Sequence, residues 1–366
     1  MSRRPATLRS LPVLTVGLAA CAALAVPTAA AAAVPTQTGT AATGSQERRP
    51  AFDLEAHRGG RGLWPENTLP AFAHALRLGV TTLEMDVVIS QDGKPIVTHD
   101  PAVNPDTCKD TRPAKHGDPE FPYVGDLVHE LNSKQIRTLD CGSKTLDDYP
   151  QQQPVPGAHM PHLQQVFRLV DRYGADGIMM NIESKVEAAK PKQSASPKKF
   201  VHVMDAAFRK AHVVPQVTFQ SFDWRTLMMM RRVDPRLPLV ALTDAPYLEV
   251  GKPGRSPWLG GLDIDDFGGD PVKAIQTFGA DIYSPSYGTG TYGKKSFDPF
   301  LKAKSISEAH RVGIKVVPYT LDDRDTMRRY IHLGVDGEIS DYPNVLRHVV
   351  KNQGLRLPRK YDAPSS

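Results

Sequence analysis

Short apolar runs that alternate with helical patterns constrain the fold of this chain more than any other feature. Most runs are followed by a stretch whose apolar residues recur at intervals of three and four. With one hairpin arm set aside, the predicted strands begin near residues 51, 81, 178, 217, 237, 281, 314 and 337. Eight strands alternating with helices predict an α/β fold, a (β/α)8 TIM barrel spanning residues 51–350. The alternative is an open doubly wound sheet, but the His-Arg-Gly-Gly turn at His57 lacks the glycine spacing of its phosphate-binding turn.

The ends of the chain lie outside this pattern. Residues 1–33 have a basic start, an apolar run and an alanine-rich end, which predicts a signal peptide and a secreted protein. Residues 34–50 are mainly Thr, Ala, Ser and Gln, which predicts a disordered linker, and 351–366 is expected to be a C-terminal tail. Because Cys21 ends a lipobox-like string, a membrane-anchored lipoprotein is the alternative location.

Charge argues against a nucleic-acid partner. Three of the 45 basic residues, Arg3, Arg4 and Arg9, lie in the leader, so 42 remain against 40 acidic residues. Nucleic-acid binding needs a larger excess, clustered in a stripe. We expect a small-molecule partner, and no obligate protein partner is evident.

Residues 100–160 interrupt the barrel rhythm and are rich in Pro, Asp, Lys and Gly. We interpret them as a small subdomain inserted after the hairpin that follows the second strand. The segment holds Cys108 and Cys141, the two cysteines left once the leader is removed. In an exported chain these two are expected to form a disulfide, and two free buried thiols are the alternative. The spacing lacks the close cysteine pairs of a zinc site.

Two carboxylates and two imidazoles fall at the ends of neighbouring predicted strands. Glu84 and Asp86 are two residues apart in an apolar run, so they point to one face of a strand. His57 ends the first strand. The Asp-Gly turn at Asp92 predicts a hairpin whose returning strand brings His99 to the level of Asp86.

Glu183 and Lys185 end the third predicted strand, at the same edge of the barrel. Carboxylates from two strands form an oxygen-rich site suited to one Ca²⁺ or Mg²⁺ ion. Structural ion pairs with Arg58 or Lys185 are the alternative for Glu84 and Asp86. As cations, Arg58 and Lys185 suit the charge of a phosphodiester.

Two catalytic candidates and three groups of candidate substrate-pocket residues complete the predicted site. Imidazoles titrate in the range needed for acid and base work, so His57 and His99 are the catalytic candidates. Glu66 and Asn67 either contact metal or substrate or only start a helix. Gln220 and Phe222 end the fourth predicted strand, and Tyr319 ends the seventh.

Taken in order, HRG, PENT, LEMDV, DG, HD, QSF and GVDGEISDYP resemble the glycerophosphodiester phosphodiesterase family over nearly all of residues 51–343. The resemblance implies a TIM barrel with an insertion, one divalent cation on Glu84, Asp86 and Glu183, and His57 and His99 as the acid–base pair. Two positions depart from the family pattern. Tyr319 to Asp322 replace its late Trp-Thr-x-Asn motif, and Glu338 stands where isoleucine is usual, which affects the far wall of the pocket.

The expected reaction is metal-dependent hydrolysis of a glycerophosphodiester to an alcohol and sn-glycerol 3-phosphate. Glycerophosphocholine and glycerophosphoethanolamine are candidate substrates. The basic loop at 185–199 either meets an anionic polymer such as teichoic acid or a lipid surface, or is only a solvated flexible loop. Tyr287 and Tyr292, in the loop after the sixth strand, either cage a choline headgroup or only pack within their loop. A lyase-type phospholipase on the same barrel and a non-catalytic cell-wall-associated protein are the alternatives. We expect His99 to act as the acid because it lies on a separate arm.

Overall fold

The computed structural model describes residues 52–363, which form a nearly closed barrel of eight parallel strands surrounded by helices. The predicted fold is confirmed. The barrel strands follow the order β10-β7-β6-β5-β4-β2-β1-β11. The strands are β1 (Asp53–Ala56), β2 (Thr82–Ile89), β3 (Pro95–Val97), β4 (Met179–Ser184), β5 (Val217–Ser221), β6 (Leu239–Thr243), β7 (Ile282–Pro285), β8 (Gly288–Thr289), β9 (Asp298–Pro299), β10 (Lys315–Val316) and β11 (Gly337–Ser340).

The barrel is least regular between β10 and β11. A strand was expected over 314–319, but only two residues of it form a regular ladder. Pro318 has no N–H to donate, which interrupts the ladder. Single backbone bonds close the gap instead: Ile339 N donates to Pro318 O at 3.0 Å, and Leu321 N donates to Ile339 O at 3.0 Å.

Helices cover the outside of the barrel. They are α1 (Leu69–Leu78), α2 (Ser133–Ile136), α3 (Leu163–Arg172), α4 (Pro197–Ala211), α5 (Trp224–Val233), α6 (Ala245–Leu248), α7 (Pro271–Gln276), α8 (Ala303–Arg311), α9 (Arg324–Leu333) and α10 (Pro343–Asn352). Helix α10 was not predicted from the sequence. Its signals are a proline in the first turn and buried Leu346, Val349 and Val350 at helical spacing.

The predicted hairpin arm places His99 as expected. β3 runs antiparallel to β2, with Val97 opposite Val87. The next backbone bond joins Thr98 N to Asp86 O at 3.0 Å, so His99 follows directly beside the acidic end of β2.

Residues beyond the arm have a small core of their own. Val103, Tyr123, Leu131 and Leu139 are buried together with other apolar residues from this segment and from the arm. Cys108 and Cys141 form the predicted disulfide within it. The segment therefore buries few apolar side chains and carries a covalent cross-link, as in other small units with meagre cores.

The C-terminal residues are packed against the barrel shell. Tyr361 is buried, and its backbone N donates to Leu76 O at 3.0 Å. Among residues 52–363 no helix has the length and apolar character needed to cross a membrane. The predictions for residues 1–33 and 34–50, including the lipidation of Cys21, lie outside the described residues.

Candidate active site

The carboxyl ends of the barrel strands surround a cavity of about 420 Å³. His57 and His99 both line it, as do the phosphate-binding candidates Arg58 and Lys185. The other predicted site residues on its wall are Glu84, Asp86, Glu183, Gln220, Phe222 and Tyr319. One cavity thus brings together side chains from distant parts of the sequence.

The three predicted metal ligands converge. Glu84 and Asp86 lie on the same face of β2, and Glu183 is the register partner of Asp86 on β4. One oxygen from each carboxylate lies within 4.8 Å of the others. All three side chains are buried, with residue exposures of 2%, 1% and 6%. Three buried carboxylates at this spacing fit one hard divalent cation.

Their titration shows why a cation fits. Burial, together with the charge of Asp86, raises the pKa of Glu84 well above its usual range. Burial also raises the pKa of Glu183 to about 8, although Lys185 opposes the shift. Burial acts on Asp86 in the same way, but nearby His99, Arg58 and Lys185 hold its pKa below its usual range. The protein's own cations therefore stabilise one of the three as an anion, and a bound divalent ion would supply the missing positive charge.

Hydrogen bonds hold these carboxylates in place. Gln220 Nε2 donates to Glu84 Oε1 at 2.7 Å, and the backbone N of Arg58 donates to Glu84 Oε2 at 2.8 Å. Asn67 Nδ2 donates to Asp86 Oδ2 at 2.9 Å. Asn67, a candidate for the substrate pocket, is buried and bonded to Asp86, so it positions that carboxylate and does not line the cavity.

The two predicted phosphate-binding cations stay charged in this setting. Burial alone would lower the pKa of Lys185. The carboxylates of Glu183 and Asp86, 3.0 Å and 3.8 Å from its Nζ, outweigh this effect, so the pKa lies above its usual range. Arg58 lies between Asp86, 3.3 Å from its Nε, and Glu66, 2.9 Å from its Nη1. Glu66 also lies outside the central cavity and borders a second, polar cleft next to it.

A tight turn places His57 and Arg58 at the end of β1. Arg58 has a left-handed backbone (φ 51°) and Gly59 follows with φ 85°. A Cβ at Gly59 would come within 2.8 Å of the Ala71 side chain, so this position requires glycine. Left-handed conformations at non-glycine residues are uncommon and are concentrated at functional sites.

His57 is oriented by an acid far away in sequence. Its Nδ1 is hydrogen-bonded to Oδ1 of Asp341, the residue that follows β11. A carboxylate on Nδ1 fixes the ring and leaves Nε2 for the cavity. Asp341 was not among the predicted site residues, although it lies in the GVDGEISDYP motif.

His99 is oriented by its neighbour. The Nδ1 of His99 is hydrogen-bonded to Asp100 Oδ1 at 2.7 Å, and Asp100 Oδ2 accepts a hydrogen bond from Asn104 Nδ2 at 2.6 Å. Burial and the charges of Lys185 and Arg58 lower the pKa of His99 to about 4, against the opposing effect of Asp86. An anionic ligand beside those two cations would offset part of this effect.

Aromatic rings form one wall of the cavity. Phe222 and Tyr319, both predicted pocket residues, lie 5.8 Å apart between ring centroids. Tyr247 lies 5.0 Å from Phe222 and 4.7 Å from Trp258. Tyr247 and Trp258 were not predicted as site residues, because Tyr247 lies in the single-turn helix α6 and Trp258 in the irregular segment after it, where no periodicity fixes the direction of a side chain. The carboxylates of Asp244 and Glu187 also line this cavity.

Tyr287 and Tyr292 do not form a choline cage at this cavity. Tyr287 donates its hydroxyl to Gly290 O at 3.0 Å within its own loop. Tyr292 is exposed and stacks under Arg329, 4.5 Å from its ring centroid. Neither ring lines the cavity.

Glu338 also lies elsewhere than expected. Its neighbour Ile339 lines the cavity, so strand alternation points Glu338 to the opposite face of β11. There it is fully buried, and neither carboxyl oxygen has a hydrogen-bond partner among the described residues. Glu338 therefore has no part in the pocket wall.

Known proteins share this fold and sequence pattern. A curated glycerophosphodiester phosphodiesterase of Caldanaerobacter subterraneus subsp. tengcongensis is 24% identical over 82% of this chain and 98% of its own length. A crystal structure from Silicibacter pomeroyi DSS-3, of a protein assigned to the glycerophosphoryl diester phosphodiesterases, has a TM-score of 0.69 and 28% identity, and covers 84% of this chain and 96% of that one. An Oleispira antarctica phosphodiesterase solved with its product sn-glycerol-3-phosphate has a TM-score of 0.58 and 19% identity, and covers 82% and 97%.

The model of the glycerophosphoryl diester phosphodiesterase family matches residues 57–345, which extend from the first catalytic candidate to the start of α10. This range includes every residue placed in the cavity above. The chain is therefore an enzyme that belongs to the glycerophosphoryl diester phosphodiesterase family.

Proposed function

We propose that the chain hydrolyses glycerophosphodiesters to an alcohol and sn-glycerol 3-phosphate, using one divalent cation and two histidines. One observation carries the proposal: three convergent carboxylates, two cations and two carboxylate-oriented imidazoles line a single cavity. The Oleispira relative with bound sn-glycerol-3-phosphate supports the product.

Glu84, Asp86 and Glu183 would hold the cation, which we propose to be Ca²⁺ or Mg²⁺ because all three ligands are oxygens. When bound, such an ion withdraws charge from phosphoryl oxygens and lowers the barrier to attack. Arg58 and Lys185 add positive charge on the same cavity wall, so the phosphate would be held from several directions.

His57 and His99 would move the protons. Each ring has a carboxylate on Nδ1, which leaves Nε2 to exchange a proton with the substrate. One imidazole takes the proton of the nucleophile, either a water or the glycerol 2-hydroxyl, and the other protonates the departing alkoxide. If the 2-hydroxyl attacks, a water then opens the resulting cyclic phosphate to give sn-glycerol 3-phosphate. We keep the expectation that His99 is the acid, because a bound phosphate would offset the two cations that lower its pKa.

The aromatic wall supports an alcohol with a cationic headgroup. Phe222, Tyr247 and Trp258 present π faces and edges, and Asp244 lies on the same wall. Such a surface favours an ammonium group, as in glycerophosphocholine or glycerophosphoethanolamine. The backbone of teichoic acid is a polyanion without that group, so we expect unsubstituted teichoic acid to be a poorer substrate.

The same wall weighs against the two alternatives. A lyase-type phospholipase needs an apolar rim that enters lipid, whereas charged Asp100, Glu187 and Asp244 line this cavity. A binding protein would not need both oriented imidazoles.

We further propose that the enzyme acts outside the cell after release of residues 1–33, and mass spectrometry of the exported form would distinguish this from lipidation at Cys21.

A coupled glycerol-3-phosphate assay tests the function. Glycerophosphocholine, glycerophosphoethanolamine and a teichoic acid are compared, with Ca²⁺ or Mg²⁺ and with chelator. We expect product only with cation present, and almost none from His57→Ala, while the surface control His202→Ala keeps full activity. Product that persists in chelator would contradict the metal requirement, and lack of product from all three diesters would contradict the function.

A further inference from the structure

We propose that Asp341 and Tyr149 are positioning residues for His57, and that the inserted segment thereby forms part of the catalytic arrangement. The inference rests on the proposed function, in which His57 transfers a proton. It concerns residues that the sequence analysis assigned no role.

Asp341 is fixed on both its backbone and its side chain. Its backbone N donates to Asp322 Oδ1 at 2.9 Å, and the same oxygen accepts from the hydroxyl of Ser340 at 3.1 Å. One carboxylate oxygen bonds His57, and the other accepts a bond of 2.6 Å from the hydroxyl of Tyr149. With a donor on each oxygen, the carboxylate plane has little freedom to rotate.

Tyr149 reaches the barrel from the far end of the insertion. The Arg61 guanidinium lies 4.8 Å from its ring centroid, and the ring of Tyr342 lies 6.2 Å away. Both neighbours belong to the barrel mouth, close in sequence to His57 and Asp341 respectively. The ring therefore lies between two parts of the barrel that carry the histidine and its acid.

Short bonds fasten this part of the insertion to the loop after β1. Gln152 Nε2 donates to Arg61 O at 2.8 Å, and Gln153 N donates to Leu63 O at 2.8 Å. Gln152 N also donates to Tyr149 O at 2.9 Å. Because these contacts lie within four residues of Tyr149, its hydroxyl is held at a defined distance from Asp341.

The protonation states agree with the geometry. Burial alone would raise the pKa of Asp341, but His57, Arg61 and the Tyr149 bond hold it below its usual range, so the group remains a carboxylate. Burial and the charge of Asp341 raise the pKa of Tyr149, so its hydroxyl keeps the proton that it donates. At neutral pH the Asp341 carboxylate therefore accepts one hydrogen bond from the Tyr149 hydroxyl and one from His57 Nδ1–H.

This arrangement has a specific consequence for catalysis. A carboxylate fixes both the tautomer and the direction of a catalytic imidazole, and its replacement by an amide favours the wrong tautomer. Tyr149 acts one step further away, because it restricts the carboxylate. Loss of its hydroxyl should misalign His57 without removing any group that touches substrate.

A double-mutant cycle tests the proposal. Asp341→Asn and Tyr149→Phe are each made in the native chain and in His57→Ala, and Tyr342→Phe removes a neighbouring hydroxyl that is not bonded to Asp341. An activated nitrophenyl phosphodiester allows the residual rate of His57→Ala to be measured. In the native chain we expect kcat to fall about a thousandfold for Asp341→Asn and about tenfold for Tyr149→Phe, with KM nearly unchanged. Tyr342→Phe should match the native chain.

In the His57→Ala background neither substitution should lower kcat more than about twofold, because the residue they act through is gone. Equal losses in both backgrounds, or a native rate in Tyr149→Phe, would overturn the proposal. Nitrogen-15 NMR of the His57 ring provides a readout independent of activity. A proton that stays on Nδ1 in the native chain and exchanges faster in Tyr149→Phe supports positioning even if no glycerophosphodiester is cleaved, and an unchanged ring signal contradicts it.

Discussion

His57 and His99 line the same cavity but are held in different ways. His99 depends on Asp100, the next residue, and this acid is about one third exposed. His57 depends on Asp341, which is 284 residues away and almost fully buried. One imidazole is positioned by local sequence and the other by closure of the barrel between its first and last strands. A catalytic pair with the same chemistry can therefore differ in how strongly each member depends on the rest of the fold.

The largest expected effect comes from removing each imidazole. His57→Ala and His99→Ala should each lower kcat/KM by more than about a thousandfold, which corresponds to a rise of about 4 kcal/mol in the activation free energy. Nitrophenolate leaves without being protonated. The variant that lacks the general acid should therefore recover most of its rate when a nitrophenyl phosphodiester is the substrate. We expect that recovery in His99→Ala. Recovery in His57→Ala would exchange the two roles.

Replacing the local acid should have a smaller effect than replacing the distant one. Asp100→Asn should lower kcat about tenfold, because water can reach the site and substitute for part of the lost bond. Its partner experiment, Asp341→Asn, should cost about a thousandfold. Steady-state kinetics on glycerophosphocholine measures both. Equal losses would mean that burial and chain distance do not distinguish the two histidines.

The disulfide should affect stability more than catalysis. Replacing both Cys108 and Cys141 by serine opens a loop of 33 residues, which costs about 3–4 kcal/mol in the chain-entropy model. Tyr149 lies outside that loop and is fastened by Gln152, so kcat at 25 °C should stay within about twofold of native. Thermal unfolding and the coupled assay measure the two quantities. A fall in kcat like that of Tyr149→Phe would show that the insertion core also positions His57.

The smallest effect on activity is expected at Glu338, which faces neither histidine. Glu338→Ile should leave kcat unchanged and raise the free energy of unfolding by about 2 kcal/mol, because an unpartnered buried carboxyl is removed. Burial raises its pKa well above 4.5, so the native state holds its proton longer than the unfolded chain. Stability in the native chain should therefore decline as pH rises above about 4.5, and less so in the variant. Denaturant titrations at pH 5 and 8 test this, and identical pH slopes would contradict it.

The sequence predicted what depends on local patterns. The alternation of strands and helices is sufficient for the barrel, and the Asp-Gly turn at Asp92 is sufficient to bring His99 beside Asp86. Contacts between distant segments were not predictable in the same way. Asp341 and Tyr149 carry no local signal of their partnership, because it exists only once the first and last strands are neighbours. Trp258 was missed for a related reason, since a residue in an irregular loop has no periodicity to fix its direction.

Errors at β10 and β11 have equally concrete causes. The expected strand over 314–319 is shorter because Pro318 cannot donate to a ladder. Glu338 was assigned to the pocket wall, but its neighbour Ile339 is the residue that lines the cavity. Adjacent residues of a strand point to opposite faces, so an error of one residue changes the face.

The central claim is that one cation and two imidazoles act on a single phosphorus atom. A crystal structure with Mn²⁺ and sn-glycerol 3-phosphate tests it most directly. We predict one ion coordinated by Glu84, Asp86 and Glu183, with the phosphate between the rings of His57 and His99. An ion bound elsewhere, or a phosphate that neither imidazole contacts, would contradict the account.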